Sequence, residues 1–282
     1  VVLILFTSTL LNGQSYTEEI KKYTTDKRFL PSMLLNLEED AQVPSPLKHF
    51  GHIVGAEGHL HRSTEIYGYY QAIAKNSTRA QIFEMGTSEE GRPFLIMVIA
   101  DESVLQKLEF YKNQVALLAD PRKFDVKDLD KILGDAKPIY YISGGMHATE
   151  MGAPEMLIEM AYRLVTSKDK EIEKIRKNVI TIINPISEPD GWDKQVDWYY
   201  RYTKGRPNFD DGFPRSSPYW GKYVFHDNNR DGLQVSQGIT KSIYKAFFEY
   251  HPTVMLDLHE SLPLFYVSTG TGPYNDFVDP IT

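Results

Sequence analysis

The chain has 282 residues, 41% hydrophobic and 24% charged, the composition of a globular protein with enough apolar material for one large α/β domain. A formal net charge of −7 and a sequence pI near 5.7, with no basic cluster to offset them, argue against a nucleic-acid partner. Cysteine is absent, so stability has to come from the core and from any bound metal rather than from disulfides.

The opening VVLILFTSTLLNGQS is apolar over too short a distance to span a bilayer and ends in small and polar residues. This is the pattern of a secretory signal, residues 1–14, with a cut expected near Gly13 or Gln14. The competing reading, a buried N-terminal strand, fits poorly with the charged helical stretch SYTEEIKKYTTDKRF that follows. Export without cysteine points to a bacterial protein of the periplasm or the outside medium. The lack of an initiating methionine and the loop-like end TGPYNDFVDPIT make the sequence read as a fragment. Residues 15–46 form an N-terminal segment without a chemical motif, and residues 47–282 form the main domain.

Four of the eight histidines, His49, His52, His59 and His61, fall in KHFGHIVGAEGHLHRSTEIYGYYQAIAKNS. A metal cluster is the tempting reading. Gly51, Gly55 and Gly58 mark loop, however, and no carboxylate or cysteine spacing accompanies the histidines, so they read as ordinary exposed loop residues. A helix over about 63–74 carries Ile66, Tyr69, Tyr70 and Ile73 on one face. Strands are expected over 80–85 and 93–100, joined through GTSEEGR as a hairpin. An amphipathic helix over 102–118 and a short helix in DVKDLDKILGD, closed by Gly134, follow.

The stretch PIYYISGGMHATEMGAPEMLIEMAYRLV, residues 138–165, organises the rest. Its β-branched and aromatic start reads as a core strand ended by Gly144-Gly145. Its end is helical, with Ala153, Leu157, Met160, Ala161 and Leu164 at three- and four-residue steps and a start near Pro154. The helix is expected to run on through the charge run SKDKEIEKIRKN to a buried strand at 179–183. About forty residues without periodicity follow the stretch Asn184 to Gly191, and their aromatic residues (Trp192, Trp198, Tyr199, Tyr200, Trp220) point to an ordered loop lining a cleft. A helix over 238–250, a strand over 253–258 and a further strand over 263–268 close the pattern. Strands alternating with helices predict a three-layer α/β/α fold with a mixed, mostly parallel central sheet.

His147 and Glu150 sit in the loop at the carboxyl end of the central strand, off the apolar stripe, where open α/β sheets place their ligands. An HxxE pair alone is weak, because histidine and glutamate are common enough to meet at this spacing by chance. His259, at the carboxyl end of another expected strand, makes the set stronger. Two imidazoles and one carboxylate leave the fourth tetrahedral position of a zinc ion open, as catalytic zinc requires.

With these residues in place, the sequence resembles the zinc carboxypeptidase family of metallopeptidases over roughly Leu47 to its end. The resemblance rests on GGMHATE, on NPISEPDGWD, on Asn229-Arg230 within HDNNRDG and on LDLHES, with GTSEEGRPF between the first two strands. It implies a zinc peptidase that removes C-terminal residues from peptides with a free C-terminus, with one zinc held by His147, Glu150 and His259. It also implies that Asn229 and Arg230 hold the substrate's terminal carboxylate, for which the planar guanidinium fork is suited. The family's oxyanion-stabilising arginine is matched by Arg201, with Arg206 in reserve. In the family the general base is a glutamate several dozen residues beyond the last ligand, whereas 23 residues follow His259 here. Glu260 is a poor substitute, since neighbouring strand residues point to opposite faces. Two other readings stay open: a zinc amidohydrolase or deacylase on the same fold, and a non-catalytic module that binds peptide or glycan.

Overall fold

The computed structural model describes residues 11–30, 39–203 and 217–260. Among them are α1 (Leu11–Tyr23), α2 (Pro46–Phe50), α3 (Ser63–Asn76), β1 (Ala80–Thr87), β2 (Pro93–Ile99), α4 (Glu102–Leu105), α5 (Leu108–Ala119) and α6 (Leu129–Asp135). There follow β3 (Ile139–Ser143), α7 (Gly152–Thr166), α8 (Lys170–Asn178), β4 (Ile180–Asn184), α9 (Pro189–Thr203), α10 (Gly238–Tyr250) and β5 (Val254–Asp257). The strands form one mixed sheet in the order β1-β2-β4-β3-β5. β1 and β2 make the expected hairpin, β2 meets β4 antiparallel, and β3 lies parallel to both β4 and β5.

Alternation along the strands sorts their side chains into two cores, one on each face of the sheet. Leu95, Met97, Ile99, Ile142 and Ile183 pack under α3, α7 and α9. Phe94, Ile96, Val98, Ile139, Tyr141, Ile180 and Ile182 pack under α5 and α10. Both faces of the sheet are therefore apolar, as a sheet covered by helices on each side requires. Tyr16 of α1 and Val43 join the first core, so the segment ahead of residue 47 packs on the same body.

Several local expectations are corrected. The helix that begins at α7 does not run through the charge run: it stops at Thr166, and Asp169 caps a new helix, its side chain accepting from the N–H groups of Glu171 and Ile172. Aspartate is far better as an N-cap than inside a helix. Arg176 of α8 folds back and donates to the Leu164 and Ser167 carbonyls, 2.8 and 2.7 Å, which otherwise end α7 unpaired. The helix over 102–118 is likewise two pieces, α4 and α5, and Gly134 lies inside α6 rather than after it. The expected strand over 263–268 and residues 1–10 lie outside the described residues, and the expected cut near Gly13 falls within α1.

The loop expected after Gly191 is helical in its first part, as α9 runs over Pro189–Thr203. Trp192, Val196, Tyr199 and Tyr200 recur at helical steps and face the first core, with Trp192 and Val196 fully buried. Of the aromatics expected around the cleft, Trp192, Trp198, Tyr199 and Tyr200 therefore belong to the helix, and Trp192 is core.

Of the four histidines, His49 and His59 are exposed as expected, but His52 and His61 are not. His61 is buried, His52 half-buried, and the rings of His52, His59 and His61 stack, with centroids 3.7 Å apart for His52–His59 and 5.0 Å for His52–His61. Burial, reinforced by the neighbouring His59 and His61, pushes His52 down to about 4.

Candidate metal centre

The loop between β3 and α7 is shaped by two glycines. A Cβ on Gly144 would stand 3.0 Å from the Leu157 side chain and 3.3 Å from the Pro154 nitrogen, and Gly145 has φ +64. Only glycine lets the chain pass this close to α7 and turn through the left-handed region. Their carbonyls accept from Ser187 (2.9 Å) and Glu188 (3.1 Å), which ties this loop to the one leaving β4. The turn is completed by the Glu150 N–H on the His147 carbonyl, 3.0 Å, and it presents both side chains at the carboxyl end of β3.

β5 delivers the third member. It pairs with β3 in register Ser143↔Asp257, and the Leu258 N–H donates to the Ser143 carbonyl at 2.9 Å. His259 emerges one residue later beside the β3 loop, so neighbouring parallel strands bring together residues 109 apart in sequence. One ligand atom from each of His147, Glu150 and His259 can be chosen so that all lie within 4.8 Å of one another, a set that could hold a metal ion.

The two rings are oriented alike. His147 Nδ1 lies 2.9 Å from Glu150 Oε1, and His259 Nδ1 lies 2.9 Å from Glu150 Oε2. On their far sides, His147 Nε2 meets Asp227 Oδ1 at 3.1 Å and His259 Nε2 meets Asp257 Oδ2 at 2.6 Å. Asp257 is itself held by the Ser143 hydroxyl, 2.8 Å. An aspartate on Nε2 keeps the proton there and leaves the Nδ1 lone pair facing Glu150 when the ring is neutral. Two imidazole nitrogens and a carboxylate form the donor set that zinc prefers in an open site, so the residues fit the ion that the sequence resemblance implies.

The electrostatics favour a cation. Asp257 and then Glu150 push His259 up to about 10. Burial presses His147 down, but its contacts with Glu150 and Asp227 outweigh it and the ring ends above its usual value. Burial also opposes ionisation of Glu150, yet the two histidines bring it down to about 2. Three carboxylates around two rings attract positive charge, as protons or as a divalent ion.

Asp227, Asn228, Asn229 and Arg230 arrive on one short 3₁₀ turn capped by Asp227, whose side chain accepts from the Asn229 N–H at 2.8 Å. Asn228 is buried and donates to the Met146 carbonyl, beside His147. Asn229 is exposed, its Nδ2 3.4 Å from His259 Nε2, and Arg230 is exposed with Nη1 on the Asn229 carbonyl at 3.1 Å. Trp220 packs against His147 at a tilt of 40°, ring centroids 4.5 Å apart, and Tyr219 stacks on Trp220, which gives the site one aromatic wall.

Arg201 lies exposed in the last turn of α9, and none of the hydrogen bonds of the cluster involves it. Arg206 is outside the described residues. Glu260 follows the end of β5, so strand alternation does not set its direction; its Oε1 accepts from the Gly152 N–H at 2.5 Å, at the start of α7. The sequence reading missed Asp227 and Asp257, which flank the histidines. Their signal was local, since Asp257 stands two residues before His259 on the same strand and Asp227 two residues before Asn229.

The sequence profile described as zinc carboxypeptidase matches residues 66–266. No curated protein sequence matches the chain. Similar solved structures include carboxypeptidase A from Helicoverpa armigera, 19% identical over 72% of this chain and 46% of that one, with a TM-score of 0.44. A metallo-carboxypeptidase from Burkholderia cenocepacia is 14% identical over 72% of this chain and 42% of its own, TM-score 0.46. One from Pseudomonas aeruginosa is 14% identical over 72% and 40%, TM-score 0.43. The chain spans less than half the length of each of these three. The match of the family profile to residues 66–266, well over half of the sequence, places this chain in the zinc carboxypeptidase family.

Proposed function

We propose that the chain is the metal-binding part of a zinc metallocarboxypeptidase, with one zinc held by His147 Nδ1, Glu150 and His259 Nδ1. The observation that carries this reading is the shared orientation of the two rings, Nδ1 toward Glu150 and Nε2 on an aspartate. That is the arrangement in which outer carboxylates fix the tautomer and aim of metal-binding histidines. A bound zinc supplies Lewis-acid polarisation of an amide carbonyl and lowers the pKa of water.

The remaining roles fall to the chain's own side chains. Arg230, exposed beside the cluster, takes the terminal carboxylate of a peptide through its fork, and Asn229 supports it from the same turn. Trp220 covers one side of His147 and keeps water from that face. The developing oxyanion is assigned to Arg201, with Arg206 in reserve. The substrate is a peptide with a free C-terminus, and the apolar opening VVLILFTSTL supports export from the cytoplasm. Among the described residues no helix is long and apolar enough to cross a membrane.

Metal analysis of dialysed protein tests the site. His147→Ala and His259→Ala should each lose one equivalent of zinc relative to the parent protein, since an open three-ligand site has no spare donor. Unchanged zinc content in both variants would remove the proposal.

A further inference from the structure

A second histidine group lies on the outside of α7. Buried Glu155, in the first turns of that helix, meets the His61 backbone N–H at 2.9 Å and His61 Nδ1 at 2.7 Å. A carboxylate only accepts, so the ring proton sits on Nδ1 and the His61 lone pair on Nε2. That nitrogen stands 3.0 Å from His52 Nε2. His59 lies face to face on the His52 ring, 3.7 Å between centroids.

We propose that His52 and His61, completed by His59, form a second transition-metal site, with Glu155 as the outer carboxylate that orients His61. Two observations carry it. The Glu155–His61 pair repeats the carboxylate–imidazole arrangement of Asp227–His147 and Asp257–His259. Two nitrogens bound at ~2.0–2.1 Å to one ion stand about 2.9 Å apart at a right angle and about 3.4 Å apart at the tetrahedral angle, and 3.0 Å lies between. The 3.0 Å gap between the two Nε2 atoms is bridged by a proton on His52 Nε2 or, when His52 carries its proton on Nδ1, is open to an ion. A divalent ion takes both lone pairs at once.

In the stacked arrangement His52, His59 and His61 do not form a three-ligand group among the described residues, so binding requires the exposed His59 to turn about its side-chain torsions. Water fills the remaining position. Imidazole ligands suit zinc, copper(II) and nickel(II). The role is structural: the His61 carbonyl accepts from Trp192 Nε1 at 2.9 Å, and Leu60 N–H and C=O both bond the Tyr200 hydroxyl. An ion here locks the 51–62 loop to α7 and to α9 together.

Calorimetric zinc titration of metal-free protein, with metal analysis after dialysis, tests the proposal independently of the first site. The parent chain should bind two equivalents, His147→Ala one, and His52→Gln one, the equivalent retained by His52→Gln being the one that His147→Ala loses. His59→Gln, at an exposed position that cannot disturb the core, should weaken the second equivalent at least ~10-fold, and Glu155→Gln should weaken it ~10–100-fold. One equivalent in the parent chain, or a second equivalent of unchanged affinity in both His52→Gln and His59→Gln, overturns the site.

Discussion

Asp227 Oδ1 and His147 Nε2 stand 3.1 Å apart, on the side of the imidazole away from Glu150. The aspartate therefore sets which nitrogen of His147 is free, while the N–H of Asn229 holds the aspartate itself. Asp227→Asn keeps the shape and removes the charge. Zinc affinity, measured by competition with a chelator, should fall ~10–100-fold with little change in melting temperature. Unchanged affinity would mean that Asp227 only caps its 3₁₀ turn.

Which parts of this were legible in the sequence follows from the range of the interactions. The hairpin, the β3 strand with its two glycines and the convergence of His147, Glu150 and His259 were readable because each signal is local: alternation, glycine before a tight loop, a histidine just past a strand. α9 was hidden because Pro189, Gly191 and a run of aromatics look like loop, although Trp192, Val196, Tyr199 and Tyr200 keep helical spacing. The environment of His61 could not be read at all. It depends on Glu155, 94 residues away, reaching back from a helix whose sequence shows only an apolar stripe.

The half-buried Arg92 partners a fully buried carboxylate, Asp190. Its Nη1 donates to Asp190 at 2.8 Å and its Nε to Asp193 at 2.9 Å, and Asp190 also accepts from the Ser88 hydroxyl and the Glu90 N–H. The group pins the β1–β2 turn to the start of α9. Asp190 is fully buried, so Arg92→Met strands a charge and should destabilise the fold by about 3 kcal/mol in denaturant unfolding. Arg92→Lys should recover part of the loss. A change below about 1 kcal/mol in the Met variant would show that water reaches Asp190.

Glu188 gives the stability a pH dependence. Burial, then the charge of Asp190, pushes its carboxyl up to about 8, and its Oε2 has no hydrogen-bond partner in the structure. A raised folded pKa means that the native state holds a proton that the unfolded state has already released. Between the ordinary value of 4.5 and about 8, stability therefore falls as pH rises, and it is greatest below 4.5 as far as this group decides. Glu188→Gln should match the parent protein near pH 5 and exceed it by roughly 1–3 kcal/mol above pH 8. Parallel stability curves for the two proteins across that window would sink the assignment.

The reading of Arg230 is tested by its substrate. The side chain is exposed, with Nη1 on the carbonyl of Asn229, whose own side chain reaches His259 Nε2, so a peptide terminus approaching the metal centre would meet it. Its guanidinium can grip a carboxylate with two parallel hydrogen bonds, whereas lysine offers a point charge. In Arg230→Lys enzyme, kcat/KM on free-acid peptides should drop ~10–100-fold, the scale of one charged hydrogen bond. On the same peptides with an amidated C-terminus the loss should stay within ~3-fold, because the parent enzyme gains little from the fork there. Equal losses on both would make Arg230 a structural residue of the 3₁₀ turn, and a zinc deacylase that ignores the C-terminal carboxylate would then be the better reading of the same metal site.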